Sequence, residues 1–266
     1  MSGMIAAAHI PTALVLGAHT AAGAGVVGAL IEAGSPVLAI GERGEYLDAL
    51  AECYRDESQL TLLPREDRID ETSARLLADE IRARGLTLHA VFAHLFAPSF
   101  SGRLLEKSSV QLGERFGSDV LSHLAAARHL LPLLQQEHAT THYVMIGGPA
   151  TECGWAGHGH ASIGSAALHM LAKVLHEEAM PLGVRVQLLA VEHPLSTPKN
   201  RLHACAGWPD AMSVGRKAVE LLRPAKPGPV RAIVRFDAAW TPPPLRTLFD
   251  PLPQLSANPA LDLNRG

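Results

Sequence analysis

The sequence predicts one doubly wound α/β domain over residues 1–240, a parallel sheet of about seven strands with helices on both faces, then a proline-rich arm over 241–266. Two observations predict it. The strand candidates are short runs of Val, Ile, Leu and Ala with little polar alternation, as expected of strands covered on both faces. Longer amphipathic stretches separate them, and strict β-α alternation leads to a parallel sheet joined by crossover helices.

The strands are expected at 12–16, 37–40, 60–63, 88–93, 143–146, 184–191 and 230–236. The first runs into Gly17-Ala18-His19-Thr20-Ala21-Ala22-Gly23 and a helical segment, Ala24 to Ala33, closed by Gly34. A further helix follows the second strand as far as Leu50. Long helices are expected over 118–136 and 161–178. In the second of these Leu168, Leu171 and Leu175 share a face, with His169, Lys173 and His176 largely off it. The segment from Arg223 to Pro229 reads as the loop before the last strand. Beyond Trp240, Pro242, Pro243, Pro244, Pro251, Pro253 and Pro259 forbid a continuous helix. The arm is expected either to pack on its own domain or a neighbouring subunit, or to fray.

Composition narrows the function classes. Hydrophobic residues make up 47% of the 266, enough to fill a core and too many for a disordered chain. Cys53, Cys153 and Cys205 are odd in number and widely spaced, so they read as reduced thiols of a cytoplasmic protein. A net charge of −3 gives no electrostatic reason to expect nucleic acid or an anionic membrane. The first basic residue is Arg43, so no charged secretory leader is expected, and no apolar run is long enough for a membrane span.

A glycine-rich strand-to-helix turn lets backbone N–H groups approach a phosphate at a helix N-terminus. Tight β-α packing demands glycines too. Gly41-Glu42-Arg43 ends the second strand, where an adenosine ribose would lie. Asp67 follows the third, where a carboxylate would face an adenine.

With these features the chain resembles the short-chain dehydrogenase/reductase family through about Asp237. The resemblance implies a Rossmann-like fold and NAD or NADP as cofactor. The family turn TGxxxGxG falls on Leu16-Gly17, Ala21 and Gly23, so Gly17, His19, Thr20 and Gly23 are the implied phosphate contacts. The family's NAD-selecting Asp is Gly41 here. Glu42 would accept from a ribose hydroxyl and Arg43 would bind a 2′-phosphate, which tilts the reading to NADP; the two side chains equally suit a solvated pair.

The family's catalytic Asn, Ser, Tyr and Lys are placed by their surroundings. NNAG corresponds to Ala93-His94-Leu95-Phe96. The Asn falls on Asp119 through Arg128-His129-Leu130-Leu131-Pro132-Leu133, and the serine pair on Gly147-Gly148. YxxxK falls on Ala161 and Ser165 through Ala166-Ala167-Leu168, while PG falls on Glu192-His193. No tyrosine follows Tyr143. The resemblance therefore implies that the ordinary hydride-transfer mechanism, with its tyrosine acid, is lost.

His160 is the best replacement acid or base, with Ser162 and Asp119 to orient it or a substrate, and a water held by Asp119 is the alternative proton donor; with 14 histidines in the chain, several fall near any edge by chance. His158-Gly159-His160, with Glu152, Cys153 or His193, lacks the fixed spacing of a zinc motif, so no metal is expected. The helices over 118–136 and 161–178 match those that pair across subunits in the family, and Ala125, Ala126, Ala127, Ala166 and Ala167 suit close approach. Three readings follow: a non-catalytic subunit that associates with itself or with an active relative, a reductase with a replacement acid, or a non-redox lyase or isomerase in the same cleft.

Overall fold

A computed structural model describes residues 12–65, 68–96, 102–136, 139–148, 154, 156–205, 207–223 and 229–236. The C-terminal arm and Asp67 lie outside these residues, as do Glu152 and Cys153.

The elements are β1 (Thr12–Leu16), α1 (Ala21–Glu32), β2 (Val37–Gly41), α2 (Glu45–Cys53), β3 (Leu60–Pro64), α3 (Glu71–Ala83) and β4 (Leu88–Ala93). Then come α4 (Ser109–Phe116), a π turn (Gly117–Leu121), α5 (Ser122–Leu134), β5 (Thr141–Gly147), α6 (Gly159–Ala179), β6 (Val184–Ala190), α7 (Ala211–Glu220) and β7 (Ile233–Arg235). The strands form one parallel sheet in the order β3-β2-β1-β4-β5-β6-β7. The chain order reverses between β1 and β4, and the ligand crevice of such sheets opens at that point.

Alternation along each strand feeds two cores. Leu14, Leu16, Leu38, Ile40, Val91 and Met145 face α3, α5 and α6. Their neighbours Ala13, Val15, Val37, Ala39, Phe92 and Val144 face α1, α2 and α7. Side-chain caps fix several helix starts: Thr20 accepts from Gly23 N–H in α1, and Asp70 with Ser73 and Ser108 with Gln111 form reciprocal boxes on α3 and α4.

Three expectations are corrected. The predicted helix over 118–136 is interrupted at its start by the π turn, which a residue pattern does not encode. The last strand is shorter than predicted, at Ile233–Arg235. His176 is buried, and its Nδ1 lies 2.7 Å from the Val186 carbonyl of β6. No helix among the described residues is long and apolar enough to cross a membrane.

Tyr143 is fully buried in β5, and its hydroxyl has no partner among the described residues. Burial raises its pKa. An unsatisfied buried hydroxyl costs about 1–3 kcal/mol, so Tyr143→Phe is expected to raise the urea midpoint at unchanged m-value. A lower midpoint would show that the hydroxyl is satisfied.

Candidate functional site

The strand order opens a cavity of about 420 Å³ at the carboxyl ends of β1, β2 and β4. Its apolar wall includes Leu16, Ile40, Ile69, Leu95 and Phe96, and its polar lining includes His19, Glu42, Arg65, Arg68 and His94. No described residue of α6 lines it.

The turn beside it is internally bonded. Gly17 has φ +85°, and a Cβ there would lie 2.1 Å from the His94 carbonyl oxygen. A Cβ on Gly23 would lie 2.1 Å from the Gly17 oxygen. Packing of the chain on itself therefore requires both glycines. The Thr20 hydroxyl donates to the Gly17 carbonyl at 2.8 Å and accepts from Gly23 N–H at 3.0 Å. His94 Nδ1 is 2.9 Å from the same oxygen. With the only hydroxyl proton directed at Gly17, His94 completes the group as an Nδ1–H donor, which leaves its Nε2 as the acceptor. Burial, then the neighbouring His19, lowers the His94 pKa to about 4, so the ring is neutral.

At the end of β2, a Cβ on Gly41 would lie 2.6 Å from His19 N. The His19 ring accepts from the Glu42 N–H at 3.1 Å. Arg65 pairs with Glu80. Arg68 reaches across to donate to the hydroxyl of Ser118, which lies in the π turn and in turn donates to the Glu114 carbonyl. Among the described residues Arg68 pairs with no carboxylate. Ring contacts continue inward, with His94 and Phe96 centroids 5.1 Å apart and Phe96 and His123 5.9 Å apart, edge to face.

A second group of polar residues lies where α6 packs against α4 and the π turn. Asp119, within that turn, is 2% exposed and accepts from Arg115 Nε at 2.5 Å. Gly164 of α6 lies against Asp119, and a Cβ on Gly148 would lie 3.9 Å from Ser165 Oγ. Ser162 donates to the His158 carbonyl at 3.2 Å and lines a separate cavity of about 400 Å³ beside Leu104 and Ile163. His160 is buried. Burial, then Arg115, His158 and Lys107, holds its pKa below the ordinary value. No group of three or more metal-ligating side chains occurs among the described residues.

This fold recurs in solved structures. A short-chain dehydrogenase from Streptomyces avermitilis is similar at 20% identity and a TM-score of 0.70, over 86% of this chain and 89% of that one. A doubly substituted form of a Serratia marcescens short-chain dehydrogenase/reductase matches at 16% and 0.74, over 86% and 96%. The fold is that of the short-chain dehydrogenase/reductases. No family model matches the sequence, and no curated protein matches it. A third structure of this fold, a metagenomic short-chain oxidoreductase in complex with NADP, matches at 16% and 0.68, over 85% and 96%.

Within the short-chain dehydrogenase/reductase fold, Gly17, His19 and Thr20 line the cleft, and Gly23 supports its turn. Arg43 does not: it is exposed after β2 and is not among the lining residues, so its position gives the expected 2′-phosphate role no support. Asp119 is the fixed partner of Arg115, and burial disfavours the charged form of His160, which weighs against a proton donor there. Sequence reasoning missed Arg65 and Arg68, which flank the Asp67 position, and Arg115, one helical turn before Asp119. Charge spacing around the two acids was the available signal.

Tested against a nicotinamide dinucleotide, the residues are a poor fit. His19 packs on Gly41 at the end of β2, and the Thr20 hydroxyl is fully engaged. At the positions that the resemblance assigns to the family's Ser, Tyr and Lys, Gly148, Ala161 and Ser165 carry no acidic side chain. We derive no hydride-transfer step for this chain.

Proposed function

We propose that the chain is a non-catalytic subunit of short-chain dehydrogenase/reductase fold that pairs with a second copy of itself through α5 and α6. The observation carrying this reading is a set of apolar side chains left exposed on the same side of the sheet: Leu121, Leu124, Ile163, Met170 and Val174. Ile163, Met170 and Val174 share one face of α6, and α6 packs beside the π turn that carries Leu121. Exposed Lys173 and Glu177 follow the same helix one turn apart. A two-fold axis that packs α6 antiparallel on its copy brings each against its opposite.

The chemistry supports the same reading. A reductase that uses His160 as its replacement acid needs that ring to carry a proton, and burial together with Arg115, His158 and Lys107 disfavours that charge. NADP or NAD binding is accordingly proposed to be weak or lost.

Sedimentation equilibrium tests the assembly. The wild type is expected to be dimeric at micromolar concentration, and Met170→Glu/Val174→Glu monomeric with an unchanged circular dichroism spectrum. A monomeric wild type sinks the reading, and a dimer only with an added active relative reassigns the partner. Carbonyl-dependent oxidation of NADH or NADPH that is lost in His160→Ala would overturn the non-catalytic assignment.

A further inference from the structure

The cavity between β1, β2 and β4 has a chemistry that the subunit reading does not use. Its volume, about 420 Å³, falls in the range of small-molecule sites, near the lower end. Its wall combines Leu95, Ile69 and Phe96 with the His94 ring, tilted 48° to Phe96. Two cations line it. Arg65 pairs with Glu80, which it shares with Arg84, whereas among the described residues Arg68 meets the Ser118 hydroxyl and no carboxylate. A guanidinium has five N–H donors in a rigid fork and pairs best with a planar or tetrahedral oxyanion. His94 adds no competing charge, because it is held neutral with its Nδ1–H on Thr20.

We infer that this cavity binds a small aromatic oxyanion, its phosphate or carboxylate on the Arg68 guanidinium and its ring among Ile69, Leu95 and Phe96. The ligand ends at the Arg68–Ser118 contact without reaching α6. Binding replaces the neutral Ser118 acceptor of Arg68 with a charged one.

Calorimetric titration of the full chain with phenyl phosphate, benzoate and benzyl alcohol tests this. At least one of the two anions is expected to bind, and the tighter one names the anionic group. The uncharged alcohol is expected to bind at least tenfold more weakly. Arg68→Met is expected to lose tenfold or more in anion affinity and Arg68→Lys to retain part of it. Arg55→Met, a surface cation paired with Glu52 outside the cavity, is expected to bind as the wild type. No binding of either anion, equal affinity for the alcohol, or unchanged affinity in Arg68→Met overturns the inference. Sedimentation of the same samples is read separately, so failure of the dimer and failure of the ligand site are distinguishable.

Discussion

Gly17→Ala is expected to remove about 4 kcal/mol of folding stability. Two costs combine. Gly17 has φ +85°, a conformation that costs a non-glycine residue about 1–3 kcal/mol. The new methyl would also stand 2.1 Å from the carbonyl oxygen of His94, which is backbone and cannot rotate away. Separating β1 from the end of β4 adds about 1–3 kcal/mol of overpacking. Urea denaturation of Gly17→Ala, with Gly34→Ala as comparison, measures it. Gly34 has φ +72° but open space around its Cβ, so it is expected to show the conformational cost alone. Equal losses at the two positions would remove the His94 contact from the account.

The second large effect is acid lability. His123 is fully buried on α5, and burial, then His94, lowers its pKa to about 3. His142 in β5 is also lowered to about 3, by burial, then by Arg185 and His89. In the unfolded chain both titrate near 6.5, so the unfolded state takes up the protons first. Their contribution to stability is complete above about pH 6.5 and declines as pH falls towards 3. Each histidine then approaches a slope of about 1.4 kcal/mol per pH unit. His123→Phe keeps a ring against Phe96 and removes the titration. Its stability, measured by urea denaturation at pH 7, 6, 5 and 4.5, is expected to fall with a slope shallower by about that amount below pH 6. An unchanged slope would mean that His123 titrates normally in the folded protein.

Both effects arise from contacts that differ in how far the sequence announces them. The strands are legible because short Val-, Ile- and Leu-rich runs alternate with helical stretches, and six of the seven lie within two residues of their expected ends. The turn from Gly17 to Gly23 is legible as a turn. Its glycines turn out to face the chain's own carbonyls, which spacing alone does not distinguish from facing a phosphate. The π turn is not legible, because it depends on a shift of backbone hydrogen bonding that no residue type at 117–121 dictates. Arg68 and Ser118 lie on separate elements and meet only when the sheet assembles. The buried place of His176 likewise depends on a carbonyl of the neighbouring strand β6, so helical periodicity puts the residue on the wrong side.

The close seam between α1 and α7 has a consequence for synthesis. A Cβ on Gly25 would lie 1.9 Å from the Ala211 oxygen and one on Gly215 2.0 Å from the Gly25 oxygen, while Arg216 forks onto Glu32 at 2.9 and 2.8 Å. Among the described residues, the first helix is thus covered by the last. At roughly 5–20 residues per second, the ribosome delivers Gly215 roughly 10–40 s after Gly25. Throughout that interval the α1 surface that later meets α7 stays open on the nascent chain, a window in which a holdase chaperone would find it. Completion of the fold waits for nearly the whole domain to emerge.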